Sequence, residues 1–150
     1  MSKAIPKAMG TVSKINILVP AGKATPTPPI GPALGQRGVK AIDFCKQFNE
    51  LTKNYELETP IPTIIQIQPD RKFTFMCNMP PTAWLLKRAA RIEKGAAKPK
   101  HEIVGRVSLK HIYEIAKIKQ KQNNMKNHDL QFICKCIVAS AGGIGIEVVP

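Results

Sequence analysis

Residues 11–19, TVSKINILV, set apolar Ile15, Ile17 and Val19 between polar neighbours, the two-residue period of a strand with one buried face. The period changes over 39–53. There Ile42, Cys45, Phe48 and Leu51 recur every third residue and predict one apolar helical stripe, while Lys40, Lys46, Asn49, Glu50 and Lys53 fall largely on other faces. Two more strands are predicted, IPTIIQIQ (61–68) and FTFMCNM (73–79), the second with Phe73, Phe75, Cys77 and Met79 on one side. Gln68-Pro69-Asp70-Arg71-Lys72 supplies tight-turn chemistry between them. Residues 11–79 thus read as a strand, a helical crossover and a hairpin, a small α/β layer with one sheet face covered.

Pro80-Pro81 ends the strand signals and reads as a short, semi-rigid linker. Thr82 is the expected N-cap of TAWLLKRAARIEKG, with Leu85, Ala89 and Ile92 on one face, Lys87, Arg91 and Lys94 on another, and Gly95 as the stop. Ser108 is expected to cap LKHIYEIAKIKQ, turning Leu109, Ile112, Tyr113 and Ala116 inward and Lys110, Lys117 and Lys121 outward. A third segment, 129–145, buries Leu130, Ile133, Cys134, Ile137, Ala141 and Ile144. Three amphipathic helices in so short a stretch predict a compact three-helix bundle.

Charge sharpens this division. The chain of 150 residues carries a net charge of +13, a self-repulsion that a polyanionic partner would relieve; nucleic acid leads, an anionic membrane follows. Residues 1–79 hold ten Lys/Arg against five Asp/Glu, and residues 80–150 hold thirteen against five, so the second part is the better polyanion binder. No apolar run approaches the roughly 20 residues of a membrane-spanning helix. The N-terminus MSKAIPKAMGTVSK is basic and free of acid but has no secretory apolar core.

The third predicted helix carries Lys135, Ala139 and Gly142 opposite its apolar stripe, with Ser140 and Gly143 beside them. A solvated face would normally carry long polar side chains, since each glycine costs a helix up to about 1 kcal/mol relative to alanine. Small residues there suit close approach of an RNA sugar–phosphate backbone, although glycines also serve simply to unravel a helix end. The basic segment KGAAKPKHEIVGR (94–106) would bring Lys94, Lys98, Lys100 and Arg106 beside that helix. Eight aromatics, mostly in strand or core patterns, leave no stacking platform of the single-strand-binding kind.

Catalysis finds no support. The glycines at 31–38 lack a G-K-[ST] ending, GGIGIE (142–147) is not a dinucleotide motif, and the acidic residues are scattered. Cys45, Cys77, Cys134 and Cys136 have no C-x-x-C spacing and gain none from His101, His111 or His128, so they read as reduced thiols in the core. No catalytic residue, metal or cofactor is expected. The stretch ATPTPPIGPALGQRG (24–38) remains, with four prolines, three glycines and no acid. Proline-fixed φ angles and side-chain-free glycines make a low-entropy surface for RNA or protein, and equally a stiff connector before a helix.

PAGKATPTPPIGPALGQRGV (20–39) with AIDFCKQFNELT (41–52) resembles the signature of the large-subunit ribosomal protein eleven family. PDRKFTF (69–75), PPTAWLLKRAA (80–90) and SLKHIYEIAKIK (108–119) are similar to the same family in order and spacing, so the likeness spans nearly the whole chain. The resemblance is to the bacterial and organellar form, with SLKHIYEIAKIKQ most like mitochondrial members. It implies an α+β protein: an N-terminal small α/β sandwich over 1–79 facing translation factors, a Pro-Pro hinge at 80–82, and a C-terminal three-helix RNA-binding bundle over 83–150. It further implies a non-enzymatic constituent of the large subunit, binding the rRNA of the GTPase-associated centre at the stalk base. Stalk ribosomal proteins and translational GTPase elongation factors are the other implied partners, with no membrane and no DNA. The implied location is the mitochondrial matrix, with the bacterial cytoplasm or a plastid as alternatives.

By position, the family's rRNA contacts fall on Gly95, Lys98, Pro99 and Lys100, and on Lys135, Ser140, Ala141, Gly143 and Gly145. The resemblance also sets the proline-rich loop (Pro26, Pro28, Pro29, Gly31, Pro32, Gly35) against factor and rRNA, and the hinge at Pro80 and Pro81. Where the family usually has an arginine in the third helix this chain has Gly142, implying a lost contact and weaker RNA affinity. A basic three-helix bundle is also the plan of some DNA readers. Such a reader needs Arg, Asn or Gln to reach base edges, and here that face offers Gln131 and Lys135.

Overall fold

The computed structural model describes residues 12–99, 101–122 and 124–150. The chain divides into two compact units, the first ending at Cys77 and the second beginning at Asn78.

In the first unit, β1 (Ser13–Pro20), β2 (Pro60–Ile67) and β3 (Phe73–Cys77) form an antiparallel sheet in that order, with Val19 opposite Ile61 and Ile65 opposite Phe75. Side chains alternate across a strand, so β2 buries Ile61, Thr63, Ile65 and Ile67 on one face. Two helices cover that face: α1 (Ile30–Gly35) contributes Ile30 and Leu34, and α2 (Ala41–Leu51) contributes Phe44, Cys45 and Phe48. The hairpin turns at Arg71, whose φ of +62° allows its N–H to donate to Gln68 O at 3.0 Å.

The inward stripe of α2 corrects the expected one. Ile42 and Leu51 are 58% and 63% exposed, and Phe44 takes the buried place. Its ring stacks on Phe48 at 5.7 Å between centroids and meets Phe75 edge-on at 5.2 Å. A buried phenyl ring removes more apolar surface from water than an isoleucine and gains ring–ring geometry as well. The cysteines are corrected too: all four are free, but Cys77 and Cys136 are exposed and only Cys45 is fully buried. Cys77 is the last residue of β3, beyond Phe73 and Phe75, which pack against the core.

The second unit packs α3 (Thr82–Ala89), α4 (Leu109–Gln120) and α5 (Leu130–Gly142) around Leu86, Ile112, Ala116, Ile133, Ile137 and Ala141. A two-stranded parallel ladder, β4 (Gly105–Ser108) against β5 (Ile146–Val149), joins the bundle and adds Val107 and Ile146 to the core. That ladder is absent from the three-helix expectation. On α4, Leu109 and Tyr113 are exposed and Ile115 and Lys119 are buried in their stead. Lys119 is tolerated because its long stem covers apolar surface; burial lowers its ammonium pKa.

Helix boundaries differ from expectation at two places. Pro81, in extended conformation, is the N-cap of α3 in place of Thr82, and its carbonyl accepts from the N–H groups of Trp84 and Leu85. The same helix stops at Ala89, well before Gly95, because Arg91 turns left-handed at φ +56°. Arg91 N–H then donates to Arg88 O (3.1 Å) and Ile92 N–H to Lys87 O (3.0 Å), a pair of bonds that closes a helix end.

Candidate nucleic-acid interface

The end of α5 and the loop between α3 and β4 are stitched into one surface. Ala96 N–H donates to Ile144 O at 2.8 Å, and Val104 N–H donates to Gly145 O at 2.9 Å. Between these bonds the loop turns on Lys98, whose carbonyl accepts from His101 and Glu102. Lys98 and Pro99 stand exposed at the turn, and Lys100 lies outside the described residues. The result is a cleft of about 380 Å³ bounded by Glu102 and Ile103 on the loop side and by Ala139, Gly142, Gly143 and Gly145 on the helix side.

The glycines of this surface do two different jobs. A Cβ at Gly145, which sits at φ +81°, would collide with Ala96 Cβ and come within 2.7 Å of Glu102 O. A Cβ at Gly95 would meet Ile144 Cγ2 at 2.7 Å. Both are required by the chain's own close packing. Gly142 is the opposite case, since nothing lies within 4 Å of a Cβ added there. Gly143 is intermediate, with Ser140 O at 3.4 Å.

Among the other site residues, Lys135 and Ser140 are exposed on α5, and Ser140 Oγ donates to Cys136 O at 2.8 Å. Ala141 is fully buried, on the same helical face as Ile133 and Ile137. Glu147, also in the cleft wall, is met by Arg106, whose Nε donates to Oε2 at 2.8 Å. That pairing offsets a carboxylate that would otherwise repel a polyanion. On the other flank of α5, Leu109, Tyr113, Val138 and Cys134 line an apolar groove of about 870 Å³ edged by Lys110 and Lys135. Sequence reasoning turned Leu109 and Tyr113 inward and so missed this groove; the adjacent lysines are the signal that marks it as surface.

In the first unit, Pro26, Pro28, Pro29, Pro32 and Gly35 are exposed and Gly31 is half-buried. The Pro28–Pro29 peptide is cis. Asn49 on α2 holds the start of the segment, accepting from Ala24 N–H at 2.9 Å and donating to Ala24 O at 3.2 Å. Gly22 N–H donates to Thr52 Oγ1, which itself donates to Phe48 O. Lys23 donates to the Glu58 carboxylate and holds that carboxyl below its usual range. Ile30 and Leu34 anchor the far end in the core, and a Cβ at Gly31 would run into Pro26 O. Pro80, buried, and Pro81, half-buried, lie just inside the second unit. Among the described residues no cluster of His, Cys, Asp or Glu is arranged to hold a metal.

Comparison with known proteins gives two family matches: the model for "Ribosomal protein L11, N-terminal domain" over residues 15–73, and that for "Ribosomal protein L11, RNA binding domain" over residues 78–148. A curated relative named large ribosomal subunit protein uL11m, from Schizosaccharomyces pombe, is 51% identical over 136 residues, 91% of this chain and 94% of its own. Large ribosomal subunit protein uL11 of Rickettsia felis is 47% identical over 136 residues (90% and 92%), and that of Hydrogenobaculum is 43% identical over 134 residues (89% and 91%).

Proposed function

The chain belongs to the ribosomal protein L11 family, and we propose that it holds the folded rRNA of the GTPase-associated centre at the stalk base of the large subunit. It is an RNA-binding protein of the large ribosomal subunit, structural in kind and not an enzyme. The observation that carries the finer reading is the cleft between the loop at 95–104 and α5, with Gly142 open to solvent at its edge. An RNA backbone recognised by shape can come close to such a surface, and the open space at Gly142 leaves room for a further side chain at its edge. Lys98 on the loop and Lys135 farther up α5 are exposed and serve as phosphate partners, which position the RNA without reading its bases. Lys100 is assigned the same role from its place in the sequence.

The N-terminal unit, in this reading, presents Pro26, Pro28, Pro29 and Pro32 to the same rRNA and to translational GTPase elongation factors, next to the stalk proteins. Pro80-Pro81 serves as the hinge between the units. Similarity to the protein named uL11m supports a place in the mitochondrial ribosome, while the bacterial relatives keep a bacterial or plastid ribosome as the alternative. The test is a titration of the full chain with the folded stalk-base rRNA fragment, a base-substituted fragment that cannot fold, and duplex DNA, each at two salt concentrations. The expected result is a marked preference for the folded RNA, weakened by Lys135→Glu. Equal affinity for all three, collapsing together with salt, would show that the chain contributes charge alone.

A further inference from the structure

Between α4 and α5 the second unit leaves apolar surface uncovered. Leu109 and Tyr113 stand one turn apart on α4, and Cys134 and Val138 stand one turn apart on α5. Together they line the groove of about 870 Å³. Leu109, Tyr113 and Val138 are 53%, 45% and 38% exposed, so the groove lies open along the surface. A contiguous apolar patch with a polar rim marks an interaction site, which scattered exposed hydrophobics do not.

Charge decides what kind of partner fits. Lys110 follows Leu109 on one wall and Lys135 follows Cys134 on the other, so each helix sets a cation beside the apolar floor. Neither lysine is paired with a carboxylate among the described residues. Glu114, the carboxylate of the lining, accepts from Lys117 Nζ at 3.1 Å, which offsets its charge.

We propose that this groove docks an amphipathic helix of another protein, with aliphatic side chains at i, i+4 and i+7 and acidic residues flanking them. The aliphatic side chains cover Leu109, Tyr113 and Val138, and the acids pair with Lys110 and Lys135. An RNA backbone would satisfy the lysines but would lay phosphates on the apolar floor, where they lose water and gain no partner. A second copy of this chain brings its own net charge of +13 toward the same two cations, and α3 and α5 have no acid to offer them. The occupant that matches both floor and rim is an acidic helical segment.

The test presents the full chain with a displayed library of short, alanine-rich helical peptides randomised along one face. The expected selection is Leu, Ile or Met at the stated spacing with Asp or Glu beside them. Affinity for a selected peptide, read by fluorescence anisotropy, should fall about tenfold in Val138→Ser, with the urea midpoint showing that the fold is kept. Lys110→Glu should weaken the same peptide by a similar factor, and a peptide with lysine in place of the facing acid should restore binding. Lys110 serves here because Lys135 also belongs to the rRNA reading. The proposal is overturned if no helix is selected, if the selected helices lack acids, or if Val138→Ser binds them unchanged. It is equally overturned if no charge-swapped peptide rescues Lys110→Glu, or if the chain forms a dimer that Val138→Ser dissolves. Folded-rRNA binding is read separately and should be unchanged in Val138→Ser; a loss there would assign the groove to RNA.

Discussion

The proline-rich segment of the first unit and the loop-and-helix cleft of the second are both surfaces nearly free of long side chains, made so by opposite means. In the first, prolines fix the backbone, and the segment hangs between a double hydrogen bond to Asn49 and the buried anchors Ile30 and Leu34. In the second, a regular helix carries alanine, serine and glycine, and a loop is fastened against its end. Each surface contains glycines of two kinds. Gly31, Gly95 and Gly145 are demanded by neighbouring atoms, while Gly35 and Gly142 face open space. A surface poor in side chains therefore becomes evidence for a contact only after the glycines that the fold itself needs have been set aside.

The largest effect expected is on the second surface. Gly145→Ala forces a Cβ into Ala96 and Glu102 at a left-handed position and should lower stability by about 3 kcal/mol, seen as a lower urea midpoint and loss of rRNA binding. If stability is unchanged, Gly145 is not the fastening point and the distinction between the two kinds of glycine fails. Asn49→Ala removes both bonds to Ala24 and should cost about 2 kcal/mol, with faster hydrogen exchange along 22–27 and a smaller loss of binding to folded rRNA than Gly145→Ala. A change confined to the second unit's amides would break the comparison.

Gly142→Arg fills open space and adds a cation at the edge of the cleft. It should raise affinity for the folded rRNA by about tenfold, roughly 1.4 kcal/mol, with no loss of stability. The smallest effect belongs to neither surface and serves as the control. Burial lowers the Lys119 pKa, so the unfolded chain binds more protons than the folded one between the lowered value and the usual lysine value. Stability should accordingly rise as pH climbs through that alkaline window, whereas at neutral pH the cost of the buried charge is present in full. Lys119→Met should add up to about 1 kcal/mol at pH 7, and the gap between variant and parent should close as pH rises, measured by urea unfolding at each pH.

The strands of the first unit were legible because alternation admits only two faces, and β1 and β2 follow it closely. The helices α4 and α5 were legible in extent, but their inward faces were less so. Leu109 and Tyr113 on α4, and Ile42 and Leu51 on α2, fit an apolar stripe as well as the residues next to them. Packing against one particular neighbour decides between such stripes, and that neighbour lies far along the chain. The ladder of β4 and β5 was invisible for a related reason: four residues are too few to show a period, and the partner lies about forty residues away. At the candidate site, sequence read a close approach to the backbone from the small residues Ala139, Ser140, Gly142 and Gly143. It could not show that Gly95 and Gly145 are kept small by Ile144, Ala96 and Glu102 of the same chain.

The parallel ladder has a consequence for the order of events during synthesis. The loop that carries Lys98 emerges early, but it is fastened by the carbonyls of Ile144 and Gly145 and by strand pairing out to Val149. Until those residues have been made, the loop has nothing to close against and the cleft does not exist. A nascent chain whose first unit has already folded, as domains do in turn from the N-terminus, therefore still lacks the second unit's cleft. The cleft is thereby withheld from incomplete chains, a dependence written into four paired positions at the end of the chain.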